Sequence, residues 1–344
     1  MTTVKKRSPE GRILVVGGYG AVGATVPSRL AERFPGRVLP AGRDGARARR
    51  LGGVRADVGD PEDFRRVLDE LGDVGAVVLC VEPADASIAR ACLERGIHLV
   101  DVGASYRLLD AVSGLHALAV GSGATAVLSV GVAPGLTNLL ALRAHRALGG
   151  ADRLDLTVLL GSGERHGTDA VRWTVAGLAE PVTDRPRKVS LPGHGVRTAH
   201  PFPFSDQHTL RGTLGVPRVT TRLCLDSPLL TAALFAVRRT GGARREGLRR
   251  LLTAAFPRVH LGGDGFALRA DAYDGDGHAA FVLAGREQSR VTGLVAAEVA
   301  GEVLTGALPT GVHHIERLPA LADLPERLGA DGVTVRRVAP GEGE

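Results

Sequence analysis

Lysine is nearly absent from this chain. It occurs only as Lys5, Lys6 and Lys188, so 40 of the 43 basic residues are arginine. Any chemistry built on a lysine Schiff base therefore rests on Lys188. The three cysteines, Cys80, Cys92 and Cys224, form no C-x-x-C pair and no metal-ligand spacing. That argues against a disulfide scaffold and a zinc site, and suits a reducing cytoplasm. Aromatic residues make up only 3% of the chain, and the arginines are scattered among acids. The net charge of +6 therefore reads as arginine-rich codon usage, because a nucleic-acid surface needs clustered cations with aromatics for stacking. We expect no nucleic-acid partner. No apolar run approaches the roughly 18–20 residues that span a bilayer. The opening MTTVKKRSPE has basic residues but no apolar stretch behind them, as a secretory signal would require. The expectation is a cytoplasmic chain without membrane association.

What is present is an ordinary globular balance, 344 residues with 44% hydrophobic, enough for two domains with real cores. Residues 12–130 alternate strand-like and helix-like segments. Arg12–Val16, Arg37–Ala41, Ala76–Val81, His98–Val102 and Ala124–Ser129 read as strands. Ala21–Phe34 has helical spacing, with Pro27 expected to kink its first turns. Asp60-Pro61-Glu62 starts a helix that runs to about Leu71, with Asp60 as N-cap and Pro61 at N1. Ala84–Arg95 and Tyr106–Val120 read as helical. This rhythm predicts an α/β fold: a doubly wound parallel sheet of Rossmann type, followed by a second α+β domain with a mixed sheet. The dinucleotide-type domain is expected over residues 11–135, and the second over 136–287.

The second half opens with a helix in GLTNLLALRAHRAL, from Gly135. Leu154–Leu160 reads as a strand and Thr168–Leu178 as a helix. Residues 180–220 look like irregular hairpins, VTTRLCLDS like a strand, and 227–239 and 243–255 like helices. FALRADAYDGDGHAAFVLAG is the clearest hairpin; the acids Asp271–Asp276 read as its turn. Gln288–Leu304 reads as a helix whose Ala296, Ala297, Ala300 and Gly301 allow close packing.

The most informative stretch is ILVVGGYGAVGATV, Ile13–Val26. Gly18, Gly20 and Gly23, with Ala21 and Val22 between the last two, form G-x-G-x-x-G between a strand and a helix, as in a βαβ dinucleotide site. One glycine permits the tight turn, one lets backbone approach a pyrophosphate, and one lets helix and strand pack closely. The helix start offers N–H groups and positive dipole to the phosphates. About 20 residues on, where an NAD site carries an acid for the ribose hydroxyl, the chain reads PAGRDGARARR. Arg43 stands there, with Arg47, Arg49 and Arg50 behind it. A guanidinium at that place suits a ribose 2′-phosphate, so NADP(H) is preferred. Asp44 keeps NAD(H) open. Asp57 and Val58 fall where adenine contacts belong, and Val81 and Glu82 end the fourth strand, where the nicotinamide half passes.

At VGGYGAVG, AGRD and GVAPGLTNLLA the sequence resembles the saccharopine dehydrogenase-like oxidoreductases. The later AHPFPFSDQHTL and PTGVHHIERL are also similar to members of that superfamily, so the likeness covers roughly residues 11–320. The resemblance implies an NADP(H)-dependent oxidoreductase acting on a C–N bond of an amino-acid or amine substrate, by secondary-amine oxidation or imine reduction. It implies a mixed-sheet second domain that mediates homodimer formation, and a last long helix, about 288–320, that returns to the first domain. The chain departs from the lysine-forming enzymes: their catalytic Lys/His pair has no clear counterpart. Nor is any tyrosine followed by the Tyr-x-x-x-Lys spacing of short-chain dehydrogenases. A non-catalytic NADP(H)-binding sensor and a reductase of C=O or C=C bonds are the alternative readings.

Hydride transfer to an imine needs a nicotinamide, a proton donor and, for an amino acid, a carboxylate anchor. GSGERHGTDAVRWTV (Gly161–Val175) offers them at a strand-to-helix junction: His166 as acid/base, Asp169 beside it, and Arg172 to grip a carboxylate. The same residues also read as a capped helix, with Thr168 as N-cap and Arg172 on a solvated face. Asp101, Ser105 and Tyr106 follow the fifth strand at the sheet edge that carries ligand sites in open α/β folds. Tyr106 reads as a proton donor or as an interface aromatic. Asn138 follows a Pro-Gly bend and reads as a pocket residue or a helix cap. His313 and His314 point to opposite faces of a strand and read as structural.

Overall fold

Residues 11–164, 168–182, 184–240, 246–247, 250 and 262–339 are described by a computed structural model; of 168–170 only the backbone is. The chain divides into two compact units, residues 1–131 with 292–322, and residues 132–291 with 323–344.

The first unit is built on β1 (Arg12–Val16), β2 (Val38–Gly42), β3 (Val54–Arg55), β4 (Val74–Leu79), β5 (His98–Asp101) and β6 (Thr125–Leu128), joined late by β13 (Gly311–His314). They form one seven-stranded sheet in the order β13-β6-β5-β4-β1-β2-β3. Every recorded pairing in it is parallel. This is the doubly wound α/β sheet, with its switch point between β1 and β4. The reason lies in the strands themselves: β1 is apolar and buried from Ile13 onward, and VGAVVL of β4 is buried at all six positions. Such strands need cover on both faces. Helices α1 (Thr25–Arg33), α2 (Gly45–Arg50), α3 (Pro61–Leu71), α4 (Ser87–Glu94), α5 (Tyr106–Ser113) and α6 (His116–Ser122) follow in turn. Leu14, Phe64, Leu68, Leu79, Leu93 and Leu99 belong to one buried cluster.

Local chemistry sets several boundaries. Asp60 caps α3 by accepting from the Glu62 and Asp63 amides, both at 3.1 Å. Gly72 ends that helix at a φ of 71°. Pro27 does not kink α1, contrary to expectation. The regular helix starts at Thr25, so Pro27 lies in the first turn, where N–H groups have no intrahelical partner to lose. The single helix expected over Tyr106–Val120 is two, broken at Gly114-Leu115.

The second unit starts with an irregular turn at Val132–Leu136 that includes a cis Ala133–Pro134 bond, then α7 (Thr137–Ala147). Its mixed sheet runs β14-β12-β11-β7-β10-β9-β8. The strands are β7 (Arg153–Leu160), β8 (Arg187–Leu191), β9 (Gly195–Pro201), β10 (Arg218–Leu225), β11 (Gly265–Asp274), β12 (Gly277–Arg286) and β14 (Thr334–Arg337). Helix α7 packs on β11 and β12. Residues 180–220 are more ordered than their composition suggests. They hold the β8–β9 hairpin and a helix, α9 (Asp206–Leu214), closed by Gly215 in the left-handed region. The expected helix over 243–255 falls mostly outside the described residues; α10 (Pro228–Arg239) precedes it.

Asp271 is not a turn residue. The turn is Gly275-Asp276, and Asp271 sits within β11, paired with Arg269 two residues away on the same face. The register pairs Asp271 with Asp155, each held by arginines, so the strand carries charge where alternation alone suggested an exposed loop. The long helix α11 (Gln288–Leu304) lies close to α1: a Cβ on Gly293 would stand 2.6 Å from the Val22 carbonyl oxygen. Helix α12 (Leu324–Arg327) completes the described helices. Among the described residues no helix is long and apolar enough to cross a membrane.

Candidate dinucleotide site

The carboxyl ends of β1, β2, β4 and β5 gather the loops that sequence analysis singled out. After β1 the chain turns through Gly17, whose φ of 78° is the left-handed region that glycine adopts freely. The turn is fixed by Gly17 N–H to Ala41 O and Gly20 N–H to Gly17 O, both 2.8 Å. The glycines serve different ends. A Cβ on Gly23 would lie 2.1 Å from the Gly17 carbonyl oxygen, and one on Gly18 would lie 2.7 Å from that of Val15. Both are demanded by the chain's own packing. Gly20 is exposed, and its nearest neighbour to such an atom is the Gly17 oxygen at 3.2 Å. A side chain there would press on the turn by a few tenths of an ångström, far less than at Gly18 or Gly23, and it would also stand where a ligand lying on the loop must approach. Ala21 beside it is exposed, and Val22 half-buried.

Tyr19 bridges this loop to the end of β2. Its hydroxyl accepts from the Asp44 amide at 3.1 Å, and the Arg47 guanidinium lies 4.8 Å above its ring while donating to the Tyr19 carbonyl at 2.9 Å. Asp44 is the N-cap of α2, accepting from the Arg47 amide at 2.9 Å. Arg43 is exposed and makes no hydrogen bond or ion pair among the described residues. The positive charge expected at this place thus has two sources, one free and one pre-oriented on an aromatic face. Sequence reasoning ranked Arg43 first. The pairing of Tyr19 with Arg47 was not visible, because it needs the two loops side by side.

Asp57 accepts from the Gly59 amide at 2.9 Å, and its own amide donates to Asp63, which also holds Arg55. Val58 and Val81 pack against the core cluster. The Val81 side chain closes on the glycine turn, its Cγ1 being 2.7 Å from where a Gly17 Cβ would stand. Glu82 spends one carboxylate oxygen on the amides of Ala104 and Ser105, at 3.3 and 3.2 Å. It ties the β5 loop to the β4 loop and serves the start of α5, which has no side-chain cap. Tyr106, 40% exposed, is the first residue of that helix.

Asp101 is the residue whose weight the sequence concealed. It ends β5 fully buried. One carboxylate oxygen accepts from the Gly103 amide at 2.8 Å, and the other, also buried, has no hydrogen-bond partner. Burial, reinforced by the nearby Glu82 charge, pushes its carboxyl up to about 6, against the pull of the Gly103 amide. The signal in the sequence was an acid ending an apolar strand two residues before a glycine.

In the second unit, Asp169 and Arg172 lie on α8 (Thr168–Gly177), Arg172 exposed. His166 lies outside the described residues, as do the side chains of Thr168 and Asp169. Asn138 is fully buried inside the first turn of α7 and does not cap it; it accepts from the Gly135 amide at 3.1 Å and donates to Thr209, tying the bend before α7 to α9. Back in the first unit, His314 Nδ1 is 2.9 Å from Ser129 Oγ, and its Nε2 is 3.3 Å from Ser113 Oγ. The Ser113 hydroxyl donates to Leu109 O, so His314 Nε2 carries the proton and Nδ1 accepts from Ser129. Burial pulls the imidazole below its ordinary range, which keeps it neutral.

Residues 13–127 match the family model described as the saccharopine dehydrogenase NADP binding domain. This segment is a nicotinamide-dinucleotide domain of the saccharopine dehydrogenase type. The chain is thus built on the nucleotide-binding domain of an NAD(P)-dependent oxidoreductase. Three solved structures are similar over most of the chain. Diaminopimelate (DAP) dehydrogenase of C. glutamicum, in complex with DAP, is 16% identical with a TM-score of 0.49, covering 94% of this chain and 99% of that one. An engineered D-amino acid dehydrogenase bound to NADP+ is 15% identical with a TM-score of 0.48, covering 93% and 98%. A probable dehydrogenase from Thermotoga maritima is 12% identical with a TM-score of 0.46, covering 94% and 98%. The saccharopine dehydrogenase-type segment contains all ten residues nominated for the cofactor: Gly18, Gly20, Ala21, Val22, Gly23, Arg43, Asp57, Val58, Val81 and Glu82.

Proposed function

We propose that this chain is an NADP(H)-dependent oxidoreductase that oxidises a secondary amine or reduces an imine of an amino-acid-derived substrate. The observation that carries the reading is the glycine turn after β1, with Gly20 exposed on it and the guanidiniums of Arg43 and Arg47 at the end of the neighbouring strand β2. The residues present fit a dinucleotide: an exposed turn backed by Gly17 and Gly23, and guanidiniums at the end of β2. Gly18–Gly23 would hold the pyrophosphate, and Arg43 with the Tyr19-supported Arg47 a ribose 2′-phosphate. Asp44, already engaged as a helix cap, is the weaker partner that an NAD(H) reading would use. When bound, the nicotinamide supplies or accepts the hydride.

The chain's own part is the proton. Reduction of an imine delivers a proton to nitrogen, and oxidation of the amine removes it. Asp101 is a carboxyl that burial brings within reach of neutral pH, with one oxygen uncommitted, at the sheet edge where open α/β folds carry ligands. Its proton store supports C–N chemistry, and Tyr106, five residues further on, opens the helix that follows. His166, Asp169 and Arg172 remain proposed for substrate handling in the second unit, with homodimer formation proposed from the resemblance.

The test is turnover. Purified chain with NADP+ and a panel of N-alkylated amino acids, followed by nicotinamide absorbance, should oxidise at least one. Turnover of alcohols or enoyl thioesters alone would overturn the C–N assignment. Tight NADPH binding with no turnover on any panel would favour a sensor.

A further inference from the structure

The second unit carries a concavity of about 530 Å³ that the redox reading does not use. Its lining includes Arg153, Arg187, Arg211, Arg218 and Arg222 around Asp155. The sheet register explains the gathering. Arg153 and Asp155 of β7 stand opposite Arg218 and Thr220 of β10, on the face that also shows Arg222. Arg187 reaches in from β8.

The charges do not cancel. Asp155 is buried and takes three guanidiniums, Arg153, Arg187 and Arg222, leaving two positive charges uncompensated. Arg218 is neutralised by Asp152 at 2.6 Å. Arg211 donates to the Val219 carbonyl at 3.1 Å and has no acidic partner among the described residues. Asp184, bonded to Thr220 at 2.9 Å, removes one charge. Hydrogen bonding is incomplete as well: among the described residues the buried Arg153 Nε has no hydrogen-bond partner, although Asp155 lies 3.4 Å away. A buried guanidinium N–H without an acceptor is costly, and a surplus of converging cations is self-repelling. Both are relieved by one added ligand, a small multivalent anion.

We propose that this concavity is an anion site that takes a compact di- or trianion, a phosphate ester or a polycarboxylate, in the manner of an effector pocket. Guanidiniums set at several angles suit the spread oxygens of such a group better than a single carboxylate.

The probes are inorganic pyrophosphate and citrate, titrated calorimetrically into the full chain. The two arms separate phosphate from carboxylate ligands. One site per chain is expected, weakened about tenfold or more by Arg187→Gln and by Arg211→Gln, both exposed positions that leave the fold intact. Asp184→Asn should tighten it. NADPH titrations of the same variants should be unchanged, so failure here is distinguishable from failure of the dinucleotide reading. The proposal is overturned if neither probe saturates in the millimolar range. It is equally overturned if binding survives both arginine substitutions but is lost in Arg47→Gln, which would place the anion on the β1 turn. A chain that is dimeric in solution, becomes monomeric with Arg187→Glu and binds neither probe would show instead that carboxylates of a second copy fill the concavity.

Discussion

Asp101→Asn offers a quantitative test of the buried acid. The substitution keeps a carbonyl oxygen for the Gly103 amide and removes the charge. In the fold the carboxyl is raised from its ordinary 3.8 to about 6. The native state therefore holds the Asp101 proton more tightly than the unfolded chain. The cost of burying the ionised form is absent well below the ordinary value and fully present above the folded one. Integrated over that window it is about 3 kcal/mol near pH 7.5 and falls below about 1 kcal/mol near pH 4. The buried amide NH2 introduced by the substitution adds a penalty of about 1–3 kcal/mol that does not change with pH. The signature is thus a difference. Relative to the native chain, the variant should gain about 2 kcal/mol or more of stability between about pH 4 and pH 7.5. Urea unfolding followed by far-ultraviolet ellipticity at the two pH values measures it. A difference below about 0.5 kcal/mol, or one of opposite sign, would show that Asp101 is ionised and satisfied, and would remove it as a proton store.

Other consequences are simpler. Gly23→Ala forces an atom to 2.1 Å from a backbone oxygen and should destabilise by about 1–3 kcal/mol or more in thermal unfolding, whereas Gly20→Ala, with the nearest backbone oxygen at 3.2 Å, should cost less stability than Gly23→Ala yet weaken NADPH binding about tenfold or more. Arg47→Gln and Arg43→Ala should each weaken NADPH selectively, leaving NADH within about threefold; equal loss of both would refute the 2′-phosphate assignment. Arg238 donates to the carbonyls of Gly177, Leu178 and Pro201 at the end of α8, so Arg238→Ala should cost the second unit about 2–4 kcal/mol in chemical unfolding.

The parallel sheet was legible because its central strands are short, mostly apolar and punctuated by caps such as Asp60 and glycines such as Gly72. The G-x-G-x-x-G turn was legible because its spacing is set by phosphate-sized geometry. Less was legible where long-range register decides. Asp271 looked like a turn acid until β7 brought Asp155 beside it, and both are stabilised by arginines from other strands or positions. Helix α9 hid in a segment rich in proline and glycine, because SDQHTL has little amphipathic pattern and gains its burial from β10 and α7. Asp101 was named by its place on the fifth strand, but its importance comes from complete burial and one uncommitted oxygen, which no local pattern reports. Arg47 matters through Tyr19, 28 residues earlier, a contact created by the parallel pairing of β1 with β2.

The central claim is that the β1 turn and the guanidiniums after β2 form one NADP(H) site. Calorimetric titration of the purified chain with NADPH and, separately, with NADH tests it most directly. The account predicts one NADPH per chain, bound at least about tenfold more tightly than NADH, with the preference lost in Arg47→Gln. Equal affinities would contradict the 2′-phosphate assignment, and no binding of either dinucleotide would contradict the oxidoreductase reading itself.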